Sequence, residues 1–313
     1  MTRARQHGVT LVELMLALAL GLLVLLLAAV LLLSSNASYI AQTEAASVAD
    51  GGRHALEIIA RSARQAAFVN WDLDGIAAVG LAAAPAGVGG LDDKEVDKAS
   101  DGIADPRPGA LNGSDVLALR FAGSGEGAEG DGSVLSCGGA GVGERGSGWS
   151  IFYVARSGAG EAELRCKYRG KGGWGADAIV SGVDSFQVLY GLDTDAPADG
   201  LANRYLNADA LNALDDALVL SGASAVARER ERNRKTHWKR ITSIKVALLL
   251  HGANHARAGS SPAVFDLFGR AHAEALAASD RGTRIREDQM PDALRMRERQ
   301  LFSSTILLRN PAL

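Results

Sequence analysis

The sequence lacks the motifs of the common enzyme classes. It contains no GxSxG, no P-loop and no HExxH, and no cysteine and histidine placed as a nucleophile and its base. Four scattered histidines, His237, His251, His255 and His272, are expected at the surface or in turns. The sequence therefore indicates neither catalysis nor a cofactor.

Cysteines are few and the net charge is small. The chain has two cysteines among 313 residues and a net charge of −3 at pH 7. Because the net charge is so small, the overall charge of the protein gives no support for a nucleic-acid partner. Two cysteines do not establish a redox compartment, but they allow one disulfide if the domain is exported. The 37 glycines, with 47% apolar and 22% charged residues, are typical of a globular, loop-rich and partly β protein.

What the sequence does contain is a long apolar run near its N-terminus. Between Leu14 and Leu33 it has twenty residues without a charge or a proline, and a helix of that length spans about 30 Å. Arg3 and Arg5 precede the run, so the positive-inside rule places the N-terminus in the cytoplasm. A cleaved signal peptide is the alternative, but its apolar region is usually about 7–15 residues long. We therefore expect a retained membrane anchor.

One carboxylate, Glu13, lies at the start of this anchor. A charge at the centre of a membrane helix costs about 2.5–3.5 kcal/mol, so it is a functional candidate by default. The plain alternative is that Glu13 lies near the interface and snorkels to water. The sequence HGVTLVELML (7–16) resembles the class III leader of type IV pilins and pseudopilins.

That resemblance implies processing by prepilin peptidase. The leader would be residues 1–8, with cleavage between Gly8 and Val9 and N-methylation of Val9. Val9 departs from the phenylalanine that is usual there. Glu13 would become the fifth residue of the mature chain and pair with the N-terminal amine of a neighbouring subunit. An unpaired charge is expensive in lipid, so this pairing would set the register of helix packing.

A second helical pattern follows the anchor. No proline occurs between Leu33 and Pro85, so we expect a transmembrane helix over 9–33 and an amphipathic continuation over 34–68. The predicted apolar stripe is Val48, Gly52, Leu56, Ile59, Ala63 and Ala66. Glu57 and Arg61 are spaced as an i,i+4 ion pair. Gly51 and Gly52 are the point at which we expect the helix to kink or melt.

The remaining residues, 69–313, are predicted to form an exported domain. Six runs read as strands: 115–123, 149–158, 162–170, 184–194, 241–252 and 303–310. We therefore expect an α+β fold in which the long N-terminal helix packs on one largely antiparallel sheet. Four segments resemble PilW-type minor pilins and imply a pilin-like fold: RHALEIIARSARQAAF (53–68), IVSGVDSFQVLYGLDTD (179–195), ITSIKVALLL (241–250) and STILLRN (304–310).

Cys137 and Cys166 flank the second predicted strand. In an oxidising periplasm we expect a disulfide between them, which would stabilise the domain by about 3–4 kcal/mol on the chain-entropy model. The alternatives are two free buried thiols or two ligands of a metal site.

Two polar stretches are further candidates for binding. Asp193, Asp195 and Asp199 are a calcium candidate, but Pro197 occupies the fifth position of an EF-hand register and the loop residues are also ordinary turn formers. We expect no metal there. The basic stretch 227–240 is expected to be a solvated helix end or loop. A patch for an acidic subunit or for DNA is the alternative, and interleaved glutamates argue against DNA.

These features predict a PilW-like minor pilin that helps to prime, assemble or cap a type IV pilus. Its partners would be prepilin peptidase, other minor and major pilins, the pilus assembly platform and the inner membrane. The N-terminus would be cytoplasmic and the domain periplasmic, and both would enter the pilus on assembly. The alternatives are a minor pseudopilin of a type II secretion system, whose largest members typically lack this glutamate, and a single-pass membrane protein with an exported ligand- or DNA-binding domain.

Overall fold

The computed structural model describes residues 10–70, 82–253, 261–295 and 297–310. Its first element is one 55-residue helix, α1 (Leu11–Gln65), which at 1.5 Å per residue is about 80 Å long. It begins at the N-cap Thr10 and ends at Ala66, where the backbone becomes extended. The helix continues through Gly51 and Gly52, so the predicted break there is wrong.

The last third of α1 packs against the domain, and one turn before it Glu44 accepts the backbone N–H of Ala253 at 2.8 Å. The first buried residue along it is Val48. From there one face is buried, and its members are Val48, Gly52, Ala55, Ile59, Ala60, Ser62 and Ala63. The predicted apolar stripe is therefore confirmed, with Leu56 half-buried beside it.

The domain contains two antiparallel sheets. The first sheet has the order β1-β4-β5-β6-β7 and the second has the order β13-β10-β8-β9. The strands of the first sheet are β1 (Val88–Leu91), β4 (Val116–Ala122), β5 (Ser147–Arg156), β6 (Ala162–Gly170) and β7 (Gly173–Ser181). Those of the second are β8 (Val183–Leu192), β9 (Arg204–Leu206), β10 (Ile241–His251) and β13 (Arg299–Leu307). All six predicted strands are present and pair antiparallel, which confirms the α+β fold, and they are divided between two sheets.

Gly182 explains the division into two sheets. It is the single residue between β7 and β8, and its φ of +77° lies in the left-handed region that glycine favours. Its N–H donates to Ala162 O, and its own carbonyl accepts the N–H of His251, both at 2.8 Å. A Cβ at this position would lie 2.4 Å from His251 O. The chain therefore leaves the first sheet at one residue and enters the second directly.

Short elements complete the domain. Two ribbons pair β2 (Lys94–Glu95) with β3 (Arg107–Pro108) and β11 (Val264–Asp266) with β12 (Arg284–Arg286). The short helices are α2 (Ala208–Asp216), α3 (Ala225–Lys235), α4 (Arg270–Leu276) and α5 (Asp292–Arg295). The 3-10 turns are Leu111–Gly113, His237–Arg240 and Glu287–Gln289.

The main core lies where α1 and the two sheets meet. Ile59 of α1, Leu119 and Phe152 of the first sheet, and Phe186 and Leu248 of the second are all fully buried in one cluster. Burial of a side chain of this size contributes about 1.5–3 kcal/mol. The helix is therefore part of the core of the domain.

The closest approach of α1 to the second sheet is at Gly52. A Cβ built there would lie 2.4 Å from the ring of Phe302 on β13. Glycine lowers helix propensity by about 1 kcal/mol relative to alanine. Here it lets an aromatic ring pack directly on the helix backbone.

We expect Gly52→Ala to destabilise the protein by about 1 kcal/mol, since overpacking costs about 1–3 kcal/mol and exceeds the gain in helix propensity. The measurement is chemical denaturation of the full chain in detergent. Arg53→Ala, on the exposed face of the same turn, is the control and should have little effect. The double variant Gly52→Ala/Phe302→Leu should recover stability. A single variant as stable as the wild type would contradict the packing argument.

Buried carboxylates join the two sheets and α2. Asp115 accepts the backbone N–H of Val188 at 2.9 Å, which ties the start of β4 to β8. Asp92 accepts the N–H groups of Ala208 at 3.0 Å and Asp209 at 2.7 Å, at the start of α2. Burial raises the pKa of Asp92 to about 7 and raises that of Asp115 well above its usual range.

The raised pKa of Asp92 predicts that the protein gains stability on mild acidification. The folded state binds this proton more tightly than the unfolded state does, so the contribution grows as the pH falls through 7 and is lost as it rises. We expect the free energy of unfolding to increase by about 1–3 kcal/mol between pH 8 and pH 5. Asp92→Asn cannot titrate, so its pH profile should be flatter. Equal slopes for the two proteins would contradict the assignment.

Candidate assembly interface

The first turn of α1 is closed by Thr10 and Glu13. Glu13 Oε2 accepts the backbone N–H of Thr10 at 2.8 Å and the Thr10 hydroxyl at 2.9 Å. Thr10 Oγ1 in turn accepts the backbone N–H of Glu13 at 3.3 Å. This is a capping box, in which two otherwise unsatisfied helix donors are bonded reciprocally. The sequence signal for it, threonine three residues before glutamate, is present but was not used in the sequence analysis.

The capping box leaves part of the carboxylate available. Both bonds to Glu13 use Oε2. Among residues 10–70, 82–253, 261–295 and 297–310, no donor is assigned to Oε1. A carboxylate has about four lone-pair sites, so it can accept a donor from outside without opening the box. The side chain both starts its own helix and presents an acceptor.

The apolar part of α1 has no cover. Every leucine, valine and methionine from Leu11 to Leu33 is more than half exposed. The helix is long and apolar enough to cross a bilayer, and none of its most apolar 18-residue window is buried. So much apolar surface is unfavourable in water, and lipid or other apolar helices are the environments that suit it.

A buried ion cluster supports the strand on which α1 rests. Arg299, at the start of β13, donates from Nε to Asp184 Oδ2 at 2.7 Å and from Nη1 to Glu287 Oε1 at 3.0 Å. All three side chains are almost fully buried. His251 lies beside them, with Nδ1 3.0 Å from Asp184 Oδ1. The cluster fixes β13 to β8, and α1 packs on β13.

This buried cluster was not predicted from the sequence. His251 was expected at the surface or in a turn, and the structure buries it at 6% exposure in β10. Arg299 comes from a stretch of mixed charges that is typical of solvated surface. No local signal separates it from its exposed neighbours, because its partner Asp184 lies 115 residues away in sequence.

The predicted disulfide is present. Cys137 and Cys166 are bonded, with their Cα atoms 6.0 Å apart and a sequence separation of 29 residues. Cys166 lies in β6 and Cys137 in the glycine-rich segment that follows β4. The bond therefore ties that segment to the first sheet.

The acidic loop after β8 has the geometry of a closed turn. Asp193, Asp195 and Asp199 each place a ligand atom within 4.8 Å of the others. However, Asp193 already accepts the N–H of Asp195 at 2.9 Å and that of Gly200 at 2.8 Å. The bond from Gly200, followed by that from Asp195, lowers the pKa of Asp193. These contacts favour an ordinary turn, and the expectation that this loop holds no metal stays a prediction.

The basic stretch forms α3, which has no buried residue. Glu231 holds it to the preceding loop by accepting the N–H groups of Ser221 at 2.7 Å and Gly222 at 3.0 Å. The Lys235 ammonium, 2.6 Å away, is the largest cause that lowers the pKa of Glu231 to about 2. The expected solvated helix is confirmed for α3, whereas beyond it Thr236 is buried and Trp238 packs against the main core.

Two family models match the chain, one over the apolar anchor and one over most of the strands. Residues 151–310, just over half of the chain, match the model of the family Type IV Pilus-assembly protein W, or PilW. The chain belongs to the PilW family. Residues 3–29 match the prokaryotic N-terminal methylation motif. The protein is therefore a membrane-anchored pilin of the type IV pilus, a structural family that associates with other pilus components.

Other comparisons add little to the PilW assignment. No curated protein sequence matches the chain. A type IV-like pilin from Thermus thermophilus is similar in structure, with 12% identity, a TM-score of 0.39 and coverage of 85% of this chain and 97% of that chain. A likeness at that score does not bear on function.

Two of the predicted processing residues, Gly8 and Val9, lie outside the described residues, although the methylation motif covers both. Glu13 is described, and it is the assembly candidate that the structure places at the start of the uncovered helix. Cleavage, methylation and the role of Glu13 in assembly stay predictions.

We expect Arg299→Leu to destabilise the protein by about 3–5 kcal/mol, because it removes the buried guanidinium that Asp184 and Glu287 share. Denaturant unfolding of the full chain in detergent measures this. Arg286→Leu is the matched control, since Arg286 pairs with Asp288 at the surface and such pairs contribute about 0–1 kcal/mol. Equal losses in the two variants would contradict a supporting role for the buried cluster.

Proposed function

We propose that this PilW protein is a minor pilin that helps to prime, assemble or cap a type IV pilus after prepilin peptidase cleavage. The observation that carries the proposal is an apolar helix surface that the described part of the chain leaves uncovered. It starts at Glu13, whose Oε1 accepts no bond from a described residue. Lipid satisfies the apolar surface before assembly, and the helices of other pilins satisfy it afterwards. The pilus assembly platform in the inner membrane would carry out this transfer of the helix from lipid to the pilus.

Cleavage between Gly8 and Val9 would create the cation that Glu13 needs. The new α-amino group lies one residue before Thr10 and is positively charged at neutral pH. Glu13 Oε2 remains in its own capping box while Oε1 accepts the amine of an adjacent subunit. Charges attract strongly where water is excluded, so one relative position of two helices is favoured over all others. N-methylation keeps the positive charge.

The same proposal sets the topology. Arg3 and Arg5 favour a cytoplasmic N-terminus, and the Cys137–Cys166 bond favours an oxidising compartment such as the periplasm for the domain. The single apolar span between these regions is consistent with one crossing. Specificity for other minor and major pilins would come from the exported domain.

The test is mass spectrometry of the N-terminal peptide in membrane and sheared-pilus fractions, with and without active prepilin peptidase. We expect peptidase-dependent methylated Val9 in both fractions. Glu13→Gln should be processed normally but fall on the order of tenfold in the pilus fraction, equivalent to about 1.4 kcal/mol.

Glu57→Gln, an exposed acid further along α1, is the control and should enter pili as the wild type does. An intact Met1, or wild-type amounts of the Glu13 variant in pili, would overturn the proposal. Normal processing with co-purification of secretion-channel components, and none of pili, would favour the pseudopilin alternative.

A further inference from the structure

A basic cleft opens at the end of α1 that is farther from the anchor. Its volume is about 520 Å³. Three exposed arginines surround it: Arg61 and Arg64 from the last turns of α1, and Arg309 from the residues after β13. Phe68 and Val134 supply an apolar part of the wall.

Hydrogen bonds hold the walls of this cleft together. Asn310 Nδ2 donates to Ala66 O at 3.1 Å, at the end of α1. Gln65 Nε2 donates to Leu135 O at 3.1 Å, in the glycine-rich segment. Phe68 packs against the small cluster of Phe121, Val134 and Val142. Three distant parts of the sequence therefore form one fixed recess.

The positive charge of the cleft has no counterion. Across the part of the chain that the structure describes, Arg61, Arg64 and Arg309 form no ion pair, and no carboxylate lines the recess. The expected ion pair of Glu57 with Arg61 is not formed. Several other arginines of the domain are paired, such as Arg284 with Asp266 at 2.6 Å. Three uncompensated guanidinium groups around an apolar wall are suited to an anionic partner with an apolar side chain.

We propose that this cleft receives an acidic segment from the exported domain of a neighbouring pilus subunit. Its carboxylates would pair with the three arginines, and an apolar side chain beside them would contact Phe68. The inference rests on the proposed function. Gln65 is 32 residues beyond Leu33 along a continuous helix, about 48 Å from the end of the apolar run. The anchor of a neighbour lies in the membrane, so at this level its exported domain supplies the partner.

A nucleic acid fits the cleft less well. A duplex places one phosphate about every 1.7 Å along its axis and needs a positive surface far longer than one recess. The loop that contributes Ser133 to the cleft also exposes Glu126, Glu129 and Asp131. These carboxylates repel a phosphate backbone that extends past the arginines, whereas a short acidic segment ends within the recess.

The test places a photo-crosslinking amino acid at Ser133 of the full chain, in membranes that carry the other pilus subunits. We expect a crosslink to a peptide that contains at least two carboxylates, from a protein with a prepilin leader.

The triple variant Arg61→Glu/Arg64→Glu/Arg309→Glu should lower the yield of this crosslink at least tenfold. The charge-matched control is Arg230→Glu/Arg232→Glu/Arg234→Glu on α3, which should leave it unchanged. The milder Arg61→Gln/Arg64→Gln/Arg309→Gln should give an intermediate loss with the same unfolding midpoint.

Exchange of the crosslinked carboxylates for arginine should restore the yield with the glutamate variant. An unchanged yield in that variant, a crosslinked peptide without carboxylates, a crosslink to DNA or no crosslink at all would overturn the proposal. Processing at Val9 is read in the same membranes. Methylated Val9 without the crosslink rejects the cleft alone, while an intact Met1 rejects the proposed function.

Discussion

The packing of α1 across both sheets is the interaction on which the rest of the structure depends. The helix supplies Ile59 and its neighbours to the common core, and β13 receives it with Phe302 lying against Gly52. Without this contact each sheet would expose one apolar face to water. α1 therefore lies in two environments. Its first half is suited to lipid, and its last third completes the core of the domain.

Charged groups are distributed to protect that packing. Arg299 is buried but meets two carboxylates, and the Lys167 ammonium, also buried, is bonded to the carbonyls of Asp97, Ser100 and Gly102. A buried charge is tolerated only with such partners. The arginines around the cleft have none, and they lie where water can reach them. The buried charges of Arg299 and Lys167 therefore help to hold the domain together, whereas the exposed arginines of the cleft are accessible to a partner from outside.

The parts of this molecule that the sequence predicts are those that depend on neighbours along the chain. The apolar run, the stripe from Val48 to Ala66 and the six strands follow from periodicity and composition. The division into two sheets does not, because it depends on Gly182, whose carbonyl accepts the N–H of His251 from far along the chain. The basic cleft could not be predicted from the sequence for the same reason, because Arg61, Val134 and Arg309 come together only in the folded protein.

The unbroken course of α1 from lipid to core has a mechanical consequence. Glu44 is bonded to Ala253 of the domain, and between Leu33 and Glu44 the helix is neither in the apolar run nor buried. This part of α1 therefore separates the domain from the anchor by about 15 Å. A continuous α-helix turns by about 100° for each residue. The orientation of the domain about the helix axis is therefore fixed relative to Glu13. A contact that fixes the rotation of the anchor also determines which face of the domain lies against neighbouring subunits.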